Sequence, residues 1–447
     1  MSSDDSSARV RDLLSEGILW VEDGNHGENR PLSAEFAKEG TPFIRPDDLA
    51  HGAVNFSSCD RINSKALNRI RKGKGRPGDI AFTHRATVGR IARVGSNAPD
   101  FVANPGVTLW RVLDKTTLDP DYLYYFMQTS FYMNQVWAEA GNTDTFPYIS
   151  LTQQRGLEIR FPIVDVQRSI GATLGTLDDR IRLLRENNAT LEAIALALFK
   201  SWFVDFDPVR AKMADLAPEG MDEAMASLFP DDFEDSVLGE IPIGWPICSF
   251  RDSIHMIGGG TPNRSNSTYW GGDIPWFSVA DAPAATDVFV VDTEKHITSE
   301  GLNGSPTKLL PAGTTIISAR GTVGRLALTG CEMAMNQSCY GLRGKAGDDY
   351  FTYFSTARLV EQLKQRAHGS VFDTITKETF GRVFLSYPSS EVIAAYDELV
   401  MPLMERMNAN LMQSRSLTNL RDTLLPRLIS GQLRLPQAMA DADSALA

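Results

Sequence analysis

Two short stretches of this 447-residue chain carry the same polar groups around the same turn, RATVGRIA at 85–92 and RGTVGRLA at 320–327. Arg85, Thr87 and Arg90 recur as Arg320, Thr322 and Arg325, each set spaced about a glycine. Guanidinium groups presented from a loop suit contact with phosphate oxygens or with the O6 and N7 acceptors of guanine. The same spacing also fits a hairpin whose glycine supplies a positive φ and whose arginines are solvated. A denser run, RKGKGR, sets Arg71, Lys72, Lys74 and Arg76 around Gly73 and Gly75. It reads as a mobile cationic loop for phosphate contact. His84 beside the first turn, with Thr261 and Arg264 in GGGTPNR, completes the candidates for DNA binding. Tyr269 and Trp270 nearby read as core residues.

Nothing of comparable density points to catalysis. There is no G-x-x-x-x-G-K-[ST] loop, and the glycines of MIGGGTPNR lack the spacing and distal acid of a dinucleotide site. The six histidines form no H-x-x-x-H pair, and the four cysteines form no C-x-x-C, so no metal or cofactor is expected on this chain. The N/D-P-P-Y/F segment with which amino-group DNA methyltransferases hold the target amine is absent. The PDD triplets at 46–48 and 230–232 lack the acid-x-lysine of a nuclease.

The elements that must position these groups are duplicated. Around the two turns, Pro77 and Gly78 face Pro311 and Gly313, and Asn104 faces Asn336. Upstream, Pro42, Phe43 and Asp48 face Pro275, Trp276 and Asp281; downstream, Phe146 faces Phe372 and Pro162 faces Pro388. These landmarks recur in one order at spacings of 226 to 235 residues, which marks a tandem duplication of long units. Each unit opens with short Val, Ile, Phe and Thr runs punctuated by Gly, Pro, Asn and Asp, the pattern of a strand-rich domain. Each then changes to a 3,4 alternation of apolar residues, from Ile170 to Trp202 and from Ile393 to Leu428, interrupted at Asn188. Rods of roughly 35 residues would be about 50 Å long, more than one domain face needs, so two antiparallel paired helices are expected. Asn188 in that seam reads as a register-setting residue.

This gives an α+β chain with an internal pseudo-two-fold repeat: a first strand-rich domain at 1–164 and a helix at 165–204, an acidic linker at 205–240, a second strand-rich domain at 241–389, a helix at 390–435 and a tail at 436–447. With 43% hydrophobic and 22% charged residues, the chain can bury cores in two or three domains. The net charge of −12 would argue against a nucleic-acid partner if it were uniform. It is segregated. Between Arg61 and Arg93 stand about ten Lys/Arg against one acid, Asp79, whereas between Asp205 and Glu240 about eleven acids face two bases. A polar, acidic start and the lack of any run of 18 apolar residues argue against a signal peptide and a membrane span, so a cytoplasmic location is expected.

Two related readers on a spacer suit a split DNA site. The alternation of strand-rich unit and long helix, done twice, resembles the specificity subunits of type I restriction-modification systems. So do the segment GGGTPNRSNSTYWGGDIPWFSVAD and the ending TNLRDTLLPRLISGQLRL. The likeness spans residues 19–435. It implies two target-recognition domains that each read half of an asymmetric bipartite site in double-stranded DNA. It further implies that the paired helices dock two modification subunits, with Leu184, Leu191, Leu198, Leu417, Leu424 and Leu428 as the partner-facing residues. Those subunits would carry S-adenosylmethionine and methylate adenine, motor and nuclease subunits would join in the restriction complex, and this chain would be non-catalytic. A different reading is a structural adaptor whose two domains bind protein rather than DNA; steep salt dependence of binding separates the two.

Overall fold

The apolar alternation becomes two α-helices of 40 residues each, Val164–Phe203 and Ser390–Ile429. The computed structural model describes residues 6–141, 146–283, 287–366, 374–433 and 435–446. Phe372, the repeat partner of Phe146, lies outside the described residues. The chain divides into two compact units, one of residues 1–180 with 416–447 and one of residues 181–415. Each unit therefore contains part of both long helices.

In the first unit the β-branched and aromatic runs form two sheets. A six-stranded sheet is ordered Leu19–Asp23, Val107–Val112, Ile80–Thr83, Ile91–Arg93, Ala53–Val54 and Leu49–Ala50. A five-stranded sheet is ordered Phe36–Ala37, Asp60–Ile62, Thr41–Ile44, Phe101–Ala103 and Lys74–Gly75. Helices Pro120–Met127 and Ser130–Ala140 follow, the first started by Asp119, whose carboxylate accepts from Asp121 and Tyr122 N–H. Tyr122, Tyr125, Phe126 and Tyr132 of these helices are fully buried, with Phe82 and Trp110 of the six-stranded sheet.

The second unit repeats the plan in shorter form. Its five-stranded sheet runs Ile254–Gly258, Cys339–Gly344, Thr315–Ser318, Leu326–Thr329 and Phe289–Val290. His296–Ile297, Trp270–Phe277 and Ala334–Met335 form the counterpart of its other sheet. Among the described residues the basic edge strand Lys74–Gly75 has no equivalent there. One shared close approach fixes both plans: a Cβ on Gly24 would overlap the carbonyl of Asn104, and one on Gly259 that of Asn336. The contact requires glycine at 24 and 259; the asparagines keep their places through their side chains, each of which accepts from the N–H two residues on, Gly106 at 2.7 Å and Ser338 at 2.9 Å.

The helices pack on each other within each unit. In the second unit Ala195, Phe199, Trp202 and Phe203 share one buried cluster with Tyr396, Val400, Met404 and Met407. The Tyr396 hydroxyl donates to the Ala195 carbonyl at 3.0 Å. In the first, Arg421 pairs with Asp178 at 2.6 Å. The acidic stretch, expected as a linker with some helical content, holds helices Asp207–Met213 and Glu223–Ser227 and, beyond that expectation, the hairpin of Phe233–Ser236 with Gly239–Pro242. Val209 and Phe229 join the same aromatic cluster. Its apolar residues, outnumbered in sequence by the acids, hold it against the second unit. Among the described residues no helix is long and apolar enough to cross a membrane.

Candidate nucleic-acid interface

The two repeated turns are built by the same bonds. Thr83 and Ser318 end matching strands, and their hydroxyls donate into the turn, to the carbonyls of Thr87 and Thr322. The same oxygens accept from the N–H of Arg90 and Arg325, each at 2.8 Å. Backbone bonds from Gly89 to Thr83 and from Gly324 to Ser318, both 2.9 Å, close the loops. Arg85 bridges to Tyr148 and Arg320 to Thr374, so the turns are braced from the downstream segment as well. One position differs: Ala86 adopts φ +64 where the repeat has Gly321 at φ +78.

This bracing decides what each candidate side chain can do. Arg85, Thr87, Arg320 and Thr322 are exposed at the turn tips. Arg90 and Arg325 are exposed too, but each reaches back to a neighbouring loop, Arg90 to the Pro46 carbonyl at 3.1 Å and Arg325 to the Pro283 carbonyl at 3.0 Å. They therefore pin the turn while keeping unspent donors. His84 is placed differently from the expectation of a DNA contact. It is 3% exposed, lies 2.6 Å from the Thr108 hydroxyl and packs edge-on to Tyr148. Burial pushes its pKa down, so it is a neutral core imidazole that supports the turn from beneath.

The RKGKGR run is not a mobile loop. Lys74–Gly75 pairs antiparallel with Phe101 and Val102 as the edge of the five-stranded sheet. Gly73 N–H donates to Glu22 at 2.8 Å, and its carbonyl accepts from Ala103 at 2.8 Å. The physical reason is that its glycines allow close sheet pairing, with Gly73 at φ +73 against the backbone of Gly24 and Asn25. Arg71, Lys72, Lys74 and Arg76 remain exposed along that edge as a fixed cationic row. Directly behind it, Asp79 is fully buried and takes two bonds from Arg111, at 2.6 and 2.7 Å. The Asp79 carboxylate is thus paired with Arg111 rather than with a side chain of the row.

In the second unit Thr261 hydrogen-bonds to Gln337. Arg264 is exposed on the rim of a groove of about 550 Å³ lined also by Trp270, Gly271, Gly272, Trp276, Glu294, Lys295 and His296. Sequence reasoning missed Lys295 and His296, because they lie just before and in a strand paired with Trp270–Phe277 across more than twenty residues. The only linear trace is the aromatic pair Trp270 and Trp276.

The six leucines expected to face partners lie inward instead. Leu184, Leu417, Leu424 and Leu428 are buried, and Leu191 and Leu198 pack on the second unit's cluster. An a/d stripe is consumed by the pairing of the two helices themselves. The apolar residues left exposed on the helices are Leu183, Ile194, Leu196, Leu399, Met401 and Met412. Among the described residues no group of His, Cys, Asp and Glu side chains could hold a metal ion.

A duplicated strand-rich plan joined to two paired helices, with exposed cations at each repeated turn, has the architecture of a two-part recognition protein. The sequence matches the family described as "Type I restriction modification DNA specificity domain" over residues 24–193 and 242–396, and the chain belongs to that family. Its members are the non-catalytic specificity components of type I restriction-modification systems, whose general role is DNA target recognition and which assemble with methyltransferase subunits. It is 29% identical to the Type I restriction enzyme HindI specificity subunit of Haemophilus influenzae, covering 93% of this chain and 99% of that one. It is 24% identical to the MjaIX specificity subunit of Methanocaldococcus jannaschii, covering 89% and 87%. The fold is similar to that of the type I restriction-modification S subunit of M. genitalium, with a TM-score of 0.53, 17% identity and 96% of each chain covered.

Proposed function

We propose that this chain reads a split, asymmetric duplex target, one half with each strand-rich domain, 1–164 and 241–389, and orients two methyltransferase subunits over it. The observation that carries this is the repeated turn: the same internal bonds present Arg85 with Thr87 in one unit and Arg320 with Thr322 in the other. Asymmetry of the target follows from what surrounds the turns. Among the described residues the cationic row of Arg71, Lys72, Lys74 and Arg76 belongs to the first unit, and the groove of Arg264 to the second. Partner subunits supply S-adenosylmethionine and the methyl transfer to adenine. Motor and nuclease subunits join them in restriction, in the cytoplasm where the DNA is.

Mapping methylated adenines genome-wide in the source strain, with and without this gene, tests the reading. A split motif that vanishes with the gene supports it; an unchanged methylation pattern refutes it. The paired helices would set the unread gap. Removing residues 180–186 and 412–418 takes seven residues from each helix while keeping both the Asp178 pair with Arg421 and the Asn188 pair with Asn410. The gap should shorten by about 10 Å, about three base pairs.

A further inference from the structure

The groove on the second unit is built for more than a charge. Its wall is the edge-to-face pair Trp270 and Trp276, with ring centroids 5.2 Å apart and planes at 86°. Both indoles are fixed by their N–H groups, Trp276 to the Gly260 carbonyl at 3.0 Å and Trp270 to the Asn263 carbonyl at 3.2 Å. The strand bulges between Trp270 and Ile274, and Gly271, at φ +78, leaves open space where a side chain would stand. Arg264 and Lys295 are exposed on the rim, and among the described residues neither has a carboxylate partner. The backbone of Lys295 is held by Trp276 N–H at 2.9 Å and by the Thr293 hydroxyl at 2.7 Å. His296 is fixed by Asp292 at 2.9 Å, and Asp292 in turn by Arg415. The only exposed acid of the lining is Glu294.

The first unit has the same aromatic pair with the space above it filled. Phe36 and Phe43 meet edge to face at 5.7 Å and 81°. The Arg45 guanidinium lies 5.7 and 6.0 Å from their centroids, held by Asp60 at 2.6 Å. At the spacing that aligns Phe43 with Trp276, Arg45 corresponds to Ser278, which is too short to cover the indoles. The second unit therefore leaves open a surface that the first covers with its own cation.

We propose that this groove seats one nucleotide of the duplex target and is a determinant of sequence preference in the half-site read by the second unit. The inference rests on the DNA-reading function proposed above. Arg264 and Lys295 hold the phosphate. The exposed part of the Trp270 indole packs on the adjoining sugar and base edge. Glu294 accepts from a base-edge amino group, N4 of cytosine or N6 of adenine, the only donors there in the major groove. A simple anion would gain nothing from the indole and would be repelled by Glu294. A volume of about 550 Å³ lies within the range of about 300–1,000 Å³ that ligand sites occupy.

The test uses the full chain assembled with its methyltransferase partner, a mixed-sequence 30-base-pair duplex for affinity against salt, and a randomised duplex library for preference. The variants are R264Q with K295Q, E294A and W270F. The cation pair variant should bind at least tenfold more weakly near 0.1 M salt, with the slope of log K against log salt reduced by about 2. E294A should relax one base position in one half-site and leave the other half-site untouched, and W270F should keep most of the affinity. Variants whose affinity, slope and preference all match wild type, while wild type binds DNA, overturn the groove assignment alone. Wild type that binds no duplex overturns it together with the proposed function. Loss of partner assembly with DNA affinity intact makes the groove a protein-docking site and overturns it as well. The altered charged side chains are exposed, and an unchanged melting curve confirms folding.

Discussion

Asn188 of the first long helix and Asn410 of the second hydrogen-bond to each other at 2.9 Å, and both are buried in the second unit. Asn188 also donates to the Met407 carbonyl at 3.0 Å, so both its amide functions are used across the helix pair. A buried polar pair in an apolar seam is satisfied in one alignment only. Sliding either helix by a turn would strand both amides. It costs stability relative to leucine and returns register.

Breaking half of the pair should therefore hurt more than removing it whole. Asn188→Leu leaves Asn410 without its partner and should destabilise by about 1–3 kcal/mol. The double variant Asn188→Leu with Asn410→Leu should recover that loss or exceed wild type. Urea melts of the four proteins in the double-mutant cycle measure this. Equal losses for the single and double variants would refute the register role.

The seam of the first unit holds an ion pair where the repeat has hydrocarbon. Tyr125 donates to Asp178 at 2.7 Å, and Arg421 pairs with Asp178 at 2.6 Å. At the repeat spacing of 226 residues, Tyr125, Asp178 and Arg421 correspond to Phe351, Met404 and Ala195, all in one buried apolar cluster. Arg421→Ala alone strands a poorly solvated carboxylate and should cost about 3 kcal/mol. The transplant Y125F, D178M and R421A should return to wild-type stability or above, read by thermal melting.

The left-handed turn residue gives a local prediction of opposite signs. Ala86 and Gly321 hold the same place in the two turns, at φ +64 and +78. Ala86→Gly should stabilise the first unit by about 1 kcal/mol and Gly321→Ala should destabilise the second by a similar amount, since a Cβ at positive φ costs about that much. Nothing lies within 4 Å of a Cβ on Gly321, so the effect is conformational rather than steric. Denaturant midpoints of the two variants check it.

Stability should also depend on pH through one carboxyl. Burial pushes Asp397 up to about 7, with repulsion from Asp348 and Asp349 added, although the N–H groups of Phe351 and Tyr350 donate to it at 2.8 and 3.2 Å. The unfolded value is about 3.9, so between the two the folded chain binds more protons than the unfolded one. The stabilisation is complete below about pH 4 and is lost as pH rises through about 7, by up to about 4 kcal/mol. Asp397→Asn should flatten that part of the profile. Melting temperatures of both proteins from pH 5 to 8 test this; parallel curves would contradict it.

What the sequence made legible, and what it hid, follows from range. The duplicated turns are local, so Arg85 with Thr87 and Arg320 with Thr322 could be read from eight letters and were found exposed. The helices were legible because an apolar period survives along 40 residues. A period shows that a stripe is covered but not by what, so it could not separate the pairing of the helices from the partner docking that the resemblance implied for the seam leucines. Long-range pairing was illegible in the same way. Arg111 and Arg343 stand at equivalent places, yet Arg111 pairs with Asp79 just before a neighbouring strand and Arg343 with Asp349 at a helix start. His84 looked like a surface histidine beside a polar turn; only the sheet above it, through Thr108, turns it inward.

The residues left outside the seam give the last prediction. Leu183, Ile194 and Leu196 on the first helix, and Leu399, Met401 and Met412 on the second, are 38% to 52% exposed in the second unit. Large apolar side chains kept exposed on either side of the seam have no role in the pairing, and methyltransferase subunits that dock along the helices would cover them. Ile194→Lys with Leu196→Gln should leave the melting of the isolated chain within about 0.5 kcal/mol, because surface substitutions seldom cost more. Co-elution with the methyltransferase subunit should weaken by at least tenfold. Leu424→Ala, inside the seam, should do the reverse: about 2–5 kcal/mol of stability lost, with partner affinity retained by the molecules that stay folded. If Ile194 and Leu196 can be made polar without changing assembly, the partner docks on another surface of the chain.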